Sequence, residues 1–333
     1  MTERDRVLTA LKHEQPDMVP YQLDLTDLVY ERLQEYFRDD DFFSKTGSHL
    51  AQERNESFTE VSETEFYDMF GALWCKEQEG DFGIVSNRVF KEAAFGGYVF
   101  PEPDEKLIRE KCENLAAQPD KFTMYIIGFS LFERAWTLRG FNEILMDFLI
   151  EKAFANELLD RIVEYNLKVV DIVSEYAVDC IFFGDDWGQQ KGLIMGPPIW
   201  REFMRPRLKR QYDYVKSKGM YVAQHSCGDV REVFPDLVDM GMDIYNTFQP
   251  EIFDVEEMKR EYGLHVTFYG GISTQRLLPF ETPGGVKKET RRMMGMLGRD
   301  GGYIVAPTHA IPNDVPTENI IAFLDAAQNQ LRR

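Results

Sequence analysis

The stretch Met220–Pro250, MYVAQHSCGDVREVFPDLVDMGMDIYNTFQP, fixes the reading of the whole chain. An apolar run, Tyr221-Val222-Ala223, leads into Gln224-His225-Ser226-Cys227-Gly228. A helical spacing follows (Val230, Val233, Phe234, Leu237, Val238), and a second apolar run, Met242 to Tyr245, ends in Asn246-Thr247-Phe248-Gln249. The pattern predicts strand, polar loop, helix and strand. In an α/β barrel the loops that follow the strands gather at one mouth, where the chemistry is done. His225 and Cys227 stand two residues apart, on the same side of an extended segment, a spacing that suits one metal ion.

The same rhythm runs outward from this unit. Phe122–Ile127, Cys180–Phe183, Met220–Ala223, Asp243–Tyr245, Val266–Tyr269 and Tyr303–Ala306 read as strands. Helical patterns lie at 151–176, 198–218, 230–239, 283–298 and 316–331, with another starting at Glu133. The last is opened by Asp314, Pro316 and Glu318. Towards the N-terminus, residues 2–13 make an amphipathic helix stopped by Pro16, and Met18–Leu23 reads as a first strand. From Leu25 to about Phe66 the chain reads as helical. From Phe66 to Pro103 it reads as strands and turns, with a barrel strand near Gly83–Ser86 and a hairpin over the mouth. Alternating strands and helices imply a parallel sheet. Eight units in a chain of 333 residues predict a (β/α)8 TIM barrel over 1–333, with a lid-like helical and hairpin elaboration at about 25–120.

Composition narrows the partners. A net charge of −19 opposes nucleic acid and anionic membranes, and it disfavours a substrate with many carboxylates. The cysteines Cys75, Cys112, Cys180 and Cys227 show no paired spacing, which predicts a reducing, cytoplasmic setting. No signal peptide and no apolar segment long enough to span a bilayer is read from the sequence.

Polar residues follow each predicted strand: Gln22 and Asp24, Ser130 and Glu133, Asp185 and Asp186, His225 and Cys227, Gln249, Ser273 and His309. Any one of them can be a cap or a turn residue, but the barrel places the set on one rim. Among the histidines only His225 and His309 sit just past a strand. His13 and His49 lie in charged, helical surroundings, and His265 opens a strand. His225, Cys227 and His309 make a two-imidazole, one-thiolate set of the kind zinc takes, with a fourth position left open.

The chain resembles the uroporphyrinogen decarboxylase superfamily, which includes corrinoid-dependent methyltransferases. The marks are Arg6-Val7-Leu8 through Pro16-Asp17-Met18-Val19-Pro20, Gly184-Asp185-Asp186-Trp187 and His225-Ser226-Cys227-Gly228. Gly270-Gly271-Ile272-Ser273-Thr274 and the closing segments Ala306-Pro307-Thr308-His309-Ala310-Ile311-Pro312 and Val315-Pro316-Thr317-Glu318-Asn319-Ile320 complete them. True decarboxylases of the family carry arginine just after the first strand. Here the segment reads Tyr21-Gln22-Leu23-Asp24-Leu25-Thr26, so a polycarboxylate porphyrinogen is not expected as substrate.

Thiol-methylating members bind zinc through the H-x-C pair and a later cysteine, where this chain has His309. A His, Cys, His set leaves zinc a formal charge of about +1, whereas two thiolates and one histidine would leave it neutral. The resemblance then implies an O-demethylase type: zinc on the oxygen of an aryl methyl ether, and the methyl group passed to a corrinoid (cobalamin) held by a partner protein. Glu133, Asp185 and Asp186 are the candidates for proton supply or substrate orientation. Gln22, Asp24, Trp187 and Gln249 are the candidates for substrate binding. The alternatives are methyl transfer from a corrinoid to a thiol, cofactor-free decarboxylation of a small acid, and a non-catalytic binding protein. A homodimer is compatible with each.

Overall fold

The computed structural model describes residues 1–54, 56–76 and 83–330. Seven parallel strands form one curled sheet in chain order. They are β1 (Leu50–Arg54), β2 (Phe122–Ile127), β3 (Cys180–Gly184), β4 (Tyr221–His225), β5 (Ile244–Phe248), β6 (Thr267–Ile272) and β7 (Tyr303–Pro307). The eighth stave is a thin extended segment between β7 and β1. Tyr21 bridges Val305 and Leu25 bridges Ile311, both in the parallel sense, and the amide of His49 donates to the Tyr21 carbonyl. The ring therefore closes as a (β/α)8 barrel.

Period-two alternation sorts the strand residues. Met124, Ile126, Phe182, Ala223, Ile244, Ile304 and Ala306 point into the barrel, where Val7 and Leu11 of the N-terminal helix (Glu3–Leu11) join them as a plug. Tyr125, Ile127, Ile181, Phe183, Val222, Phe268 and Val305 point outward into the larger core beneath the helices. Strands buried on both faces read as apolar runs, which is why six of them are visible in the sequence.

The N-terminal third departs from the sequence reading. Met18–Leu23 is a stave held by isolated bridges rather than a full ladder strand, because Pro20 has no amide to donate. Among the described residues, the stretch read as helical holds the helix Asp27–Phe37, a short 3-10 turn, β1 and the strand Phe58–Glu60. His49, expected on a charged helix, is buried at the start of β1. Ile84–Val85 is no barrel strand. It is the edge of an antiparallel sheet with Phe58–Glu60, Glu65–Asp68 and Leu73–Cys75. That sheet packs on the helix Phe132–Arg139: Asp68 pairs with Arg134, and Trp74 meets Phe129 and Trp136 edge-on.

The later helices agree closely with expectation, at Lys152–Val173, Arg205–Ser217, Phe234–Asp239, Pro283–Leu297 and Thr317–Gln328. The expected end at position 331 lies outside the described residues. Among the described residues no helix is long and apolar enough to cross a membrane.

Candidate metal centre and active-site cavity

The C-terminal ends of the strands surround a cavity of about 900 Å³. His225 ends β4, and Cys227 follows on a loop pressed against Gly188. A Cβ added to Gly188 would lie 2.5 Å from the Cys227 carbonyl, and one on Gly228 would lie 2.3 Å from the Gly188 carbonyl carbon. Gly228 also has φ +78°, so only glycine lets the loop take this path. His309 enters just beyond β7. The ligand atoms of His225, Cys227 and His309 all lie within 4.8 Å of one another, and Cys227 Sγ is 3.5 Å from His225 Nε2. Tetrahedral zinc, with bonds of about 2.1 Å to nitrogen and 2.3 Å to sulfur, spaces its ligand atoms by about 3.6 Å. The donor types fit that ion, and the Cys227–His225 separation matches its spacing.

The surrounding groups aim these side chains. His225 Nδ1 lies 2.5 Å from Asn246 Oδ1, which leaves Nε2 facing Cys227. The Cys227 amide donates to Asp186 Oδ1 at 2.7 Å, and the same oxygen is 3.4 Å from His225 Nε2. Burial opposes the charge on Asp186, but the bonds from His225 and the Cys227 amide prevail and hold its pKa at about 2. Burial likewise opposes protonation of His225, yet the neighbouring Cys227 and Asp186 raise its pKa well above the usual value. His309 is held below the usual value by burial and by the facing His225. The pocket is thus electronegative at the point where a cation would sit.

Glu133, at the start of the helix Phe132–Arg139, lines the cavity. Burial first, then the charges of Asp186 and Asp185, push its carboxyl well above the usual range. Two carboxyl groups with pKa values driven in opposite directions are the arrangement that separates a proton donor from a permanent anion.

The structure divides the other sequence candidates. Gln22 and Asp24 line the cavity, and Gln249 lines a second hollow of about 720 Å³ that shares His309 and exposes Cys227. Asp185 and Trp187 do not reach the cavity. The Asp185 carboxylate accepts from the amides of Leu131 (3.2 Å), Phe132 (2.9 Å) and Glu133 (2.8 Å), and from the Trp187 indole. Trp187 itself is fully buried against Trp200. Ser130 is buried, and Ser273 binds Glu251.

The residues missing from the sequence reading are Gln52, Arg54, Trp74, Phe129, Trp136, Phe182, Asn246 and Tyr269, which all line the cavity. Asn246 stands in the middle of β5 within the quoted stretch, a polar residue inside an apolar strand, and that is the signal by which it could have been found. The aromatic residues carried no signal that separates them from core.

A family model described as uroporphyrinogen decarboxylase (URO-D) matches residues 79–330. The chain belongs to that family. Among solved structures, a methyltransferase from Methanosarcina mazei superposes with a TM-score of 0.72 at 17% identity, covering 98% of each chain. A D-psicose 3-epimerase from Clostridium cellulolyticum gives a TM-score of 0.44 at 10% identity, covering 92% of this chain and 94% of the other. No curated protein sequence matches the chain.

Proposed function

We propose that the chain is a zinc-dependent methyltransferase of the cytoplasm that moves a methyl group from an aryl methyl ether to the cobalt of a corrinoid protein. The observation that carries this reading is the cluster of His225, Cys227 and His309, two of which, His225 and His309, line a cavity walled by Trp74, Phe129, Trp136 and Phe182. The likeness in fold to a methyltransferase accords with it.

Zinc held by the three residues would supply a Lewis acid for the ether oxygen. The aromatic walls bind the ring of the substrate and exclude water. As the bond from methyl carbon to oxygen breaks, both electrons stay on oxygen. The pair for the new bond to the methyl carbon would come from the reduced corrinoid of the partner protein, and Glu133 holds the proton that the leaving oxygen takes up. Asp186 stays charged and keeps His225 and the Cys227 amide in place. Exchanging a thiolate for His309 keeps one negative charge out of the donor set, which favours polarising an oxygen over holding a soft thiolate.

The cavity also argues against a polycarboxylate. Asp24, Asp41, Glu56 and Asp186 line it, against Arg54 and Lys121, and Arg54 lies 3.6 Å from Glu56.

The test combines zinc content of the purified protein with methyl-cobalt formation from methoxy-aromatic donors and a reduced corrinoid protein. Near-stoichiometric zinc and methyl transfer are expected, with no decarboxylation of uroporphyrinogen. A zinc-free protein that decarboxylates that tetrapyrrole would overturn the reading.

A further inference from the structure

We infer that Asp24, Tyr269 and Gln52 form a second subsite in the cavity, which takes a hydroxyl group on the ring of the aryl methyl ether. The inference rests on the function proposed above and narrows its substrate to hydroxylated methoxy-aromatics.

Three separate staves bring the subsite together: Asp24 lies in the closing segment between Tyr21 and Leu25, Gln52 on β1 and Tyr269 on β6. Tyr269 donates its hydroxyl to Asp24 Oδ2 at 2.7 Å, and Gln52 Nε2 donates to the Tyr269 oxygen at 3.1 Å. Gln22 Nε2 donates to Asp24 Oδ1 at 3.3 Å, while its own Oε1 accepts the Leu50 amide at 3.2 Å. All four side chains line the cavity.

A carboxylate offers about four acceptor positions. Here each oxygen receives one side-chain donor. Among the described residues no other side chain donates to Asp24, so each oxygen keeps an acceptor position open in a buried setting. A substrate hydroxyl supplies the missing donor. A carboxylate at the same place would meet the Asp24 charge and be rejected.

The subsite is coupled to the metal centre by two residues. Asn246 lies 2.5 Å from His225 Nδ1 through Oδ1 and donates through Nδ2 to the Tyr269 carbonyl at 3.3 Å. The Phe182 ring centroid is 6.2 Å from that of His225 and 6.5 Å from that of Tyr269. An aryl ring packed on Phe182 therefore has the three-ligand cluster and the Asp24–Tyr269 pair both within the reach of its substituents.

A site built to hydrogen-bond a hydroxyl discriminates strongly against the analogue that lacks it, because its buried polar groups are then left unpaired. The experiment measures binding by calorimetry to the purified protein of known zinc content, with 2-, 3- and 4-methoxyphenol, methoxybenzene and 4-methoxybenzoate as probes. The best methoxyphenol isomer should bind about 100-fold or more tightly than methoxybenzene. Asp24→Asn, Tyr269→Phe and Gln52→Leu should each shrink that ratio to about 10-fold or less, with zinc content unchanged and methoxybenzene affinity nearly so. Equal binding of methoxyphenol and methoxybenzene by the wild type, or an unchanged ratio in all three variants, would overturn the subsite alone. Failure of every methoxy-aromatic to bind would overturn both the subsite and the aryl ether reading.

Discussion

His225 Nδ1 and Asn246 Oδ1 lie 2.5 Å apart, and this bond fixes which imidazole nitrogen faces Cys227. A metal-binding histidine whose other nitrogen is held by a partner loses tautomeric freedom and gains basicity, and removing the partner costs about 10–100-fold in affinity. Asn246→Leu should weaken zinc binding by that factor in competition with a chromophoric chelator. An unchanged affinity would show that the bond does not tune the centre.

If zinc sits on the three-donor cluster as proposed, His309 is the donor whose charge can be varied without emptying the site. His309→Cys should keep zinc, since thiolate is a strong ligand, and should slow methyl transfer by about 30-fold to 1,000-fold. His309→Ala should lose metal. A His309→Cys protein with its zinc and its full rate would remove ligand charge from the explanation.

Asp185 serves as the cap of the helix that carries Glu133. Replacing it with asparagine removes the charge that accepts from three amides and an indole. Stability should fall by about 1–3 kcal/mol, read as a lower urea midpoint, with zinc content unaffected. Unchanged stability with lost zinc would assign Asp185 to the metal centre instead.

His49 predicts an acid-sensitive fold. Burial, helped by the Arg6 charge, lowers its pKa to about 4. Between the ordinary histidine pKa of about 6.5 and that value, the unfolded chain binds a proton that the folded chain does not, so stability falls as pH falls through this window. At pH 5 the loss is about 2 kcal/mol relative to neutral pH. His49→Gln should be less stable at neutral pH, because the Tyr21 amide donates to His49 Nδ1, yet its urea midpoint should change less between pH 7.5 and 5. An equally steep decline in the variant would place the acid sensitivity elsewhere.

The barrel was legible because strands such as Cys180–Gly184 are buried on both faces and read as apolar runs. β1 was hidden for the opposite reason. Gln52 faces the cavity, and Glu53 turns out to Lys111 at 3.0 Å and Asn114 at 3.1 Å, so the strand is spelled in residues that also favour helix. The clustering of His225, Cys227 and His309 was legible from strand ends and spacing, whereas the separate places of Asp185 and Asp186 were not. Adjacent carboxylates in one loop turn in different directions, one to a helix start and the other to the cavity, and only tertiary packing decides which. Tyr269 and Phe182 sit inside apolar strands, where a residue facing substrate and a core residue are spelled alike.

The closing seam has a consequence for how the protein is made. β7 comes last in chain order among the strands of the sheet, and until it is in place the Tyr21 segment has no neighbour on that side and the inner plug lacks Ile304 and Ala306. His309 follows it by two residues. His309 therefore meets His225 and Cys227 only when the ring shuts, so the three-donor cluster exists only in the closed barrel and not in any partly paired one.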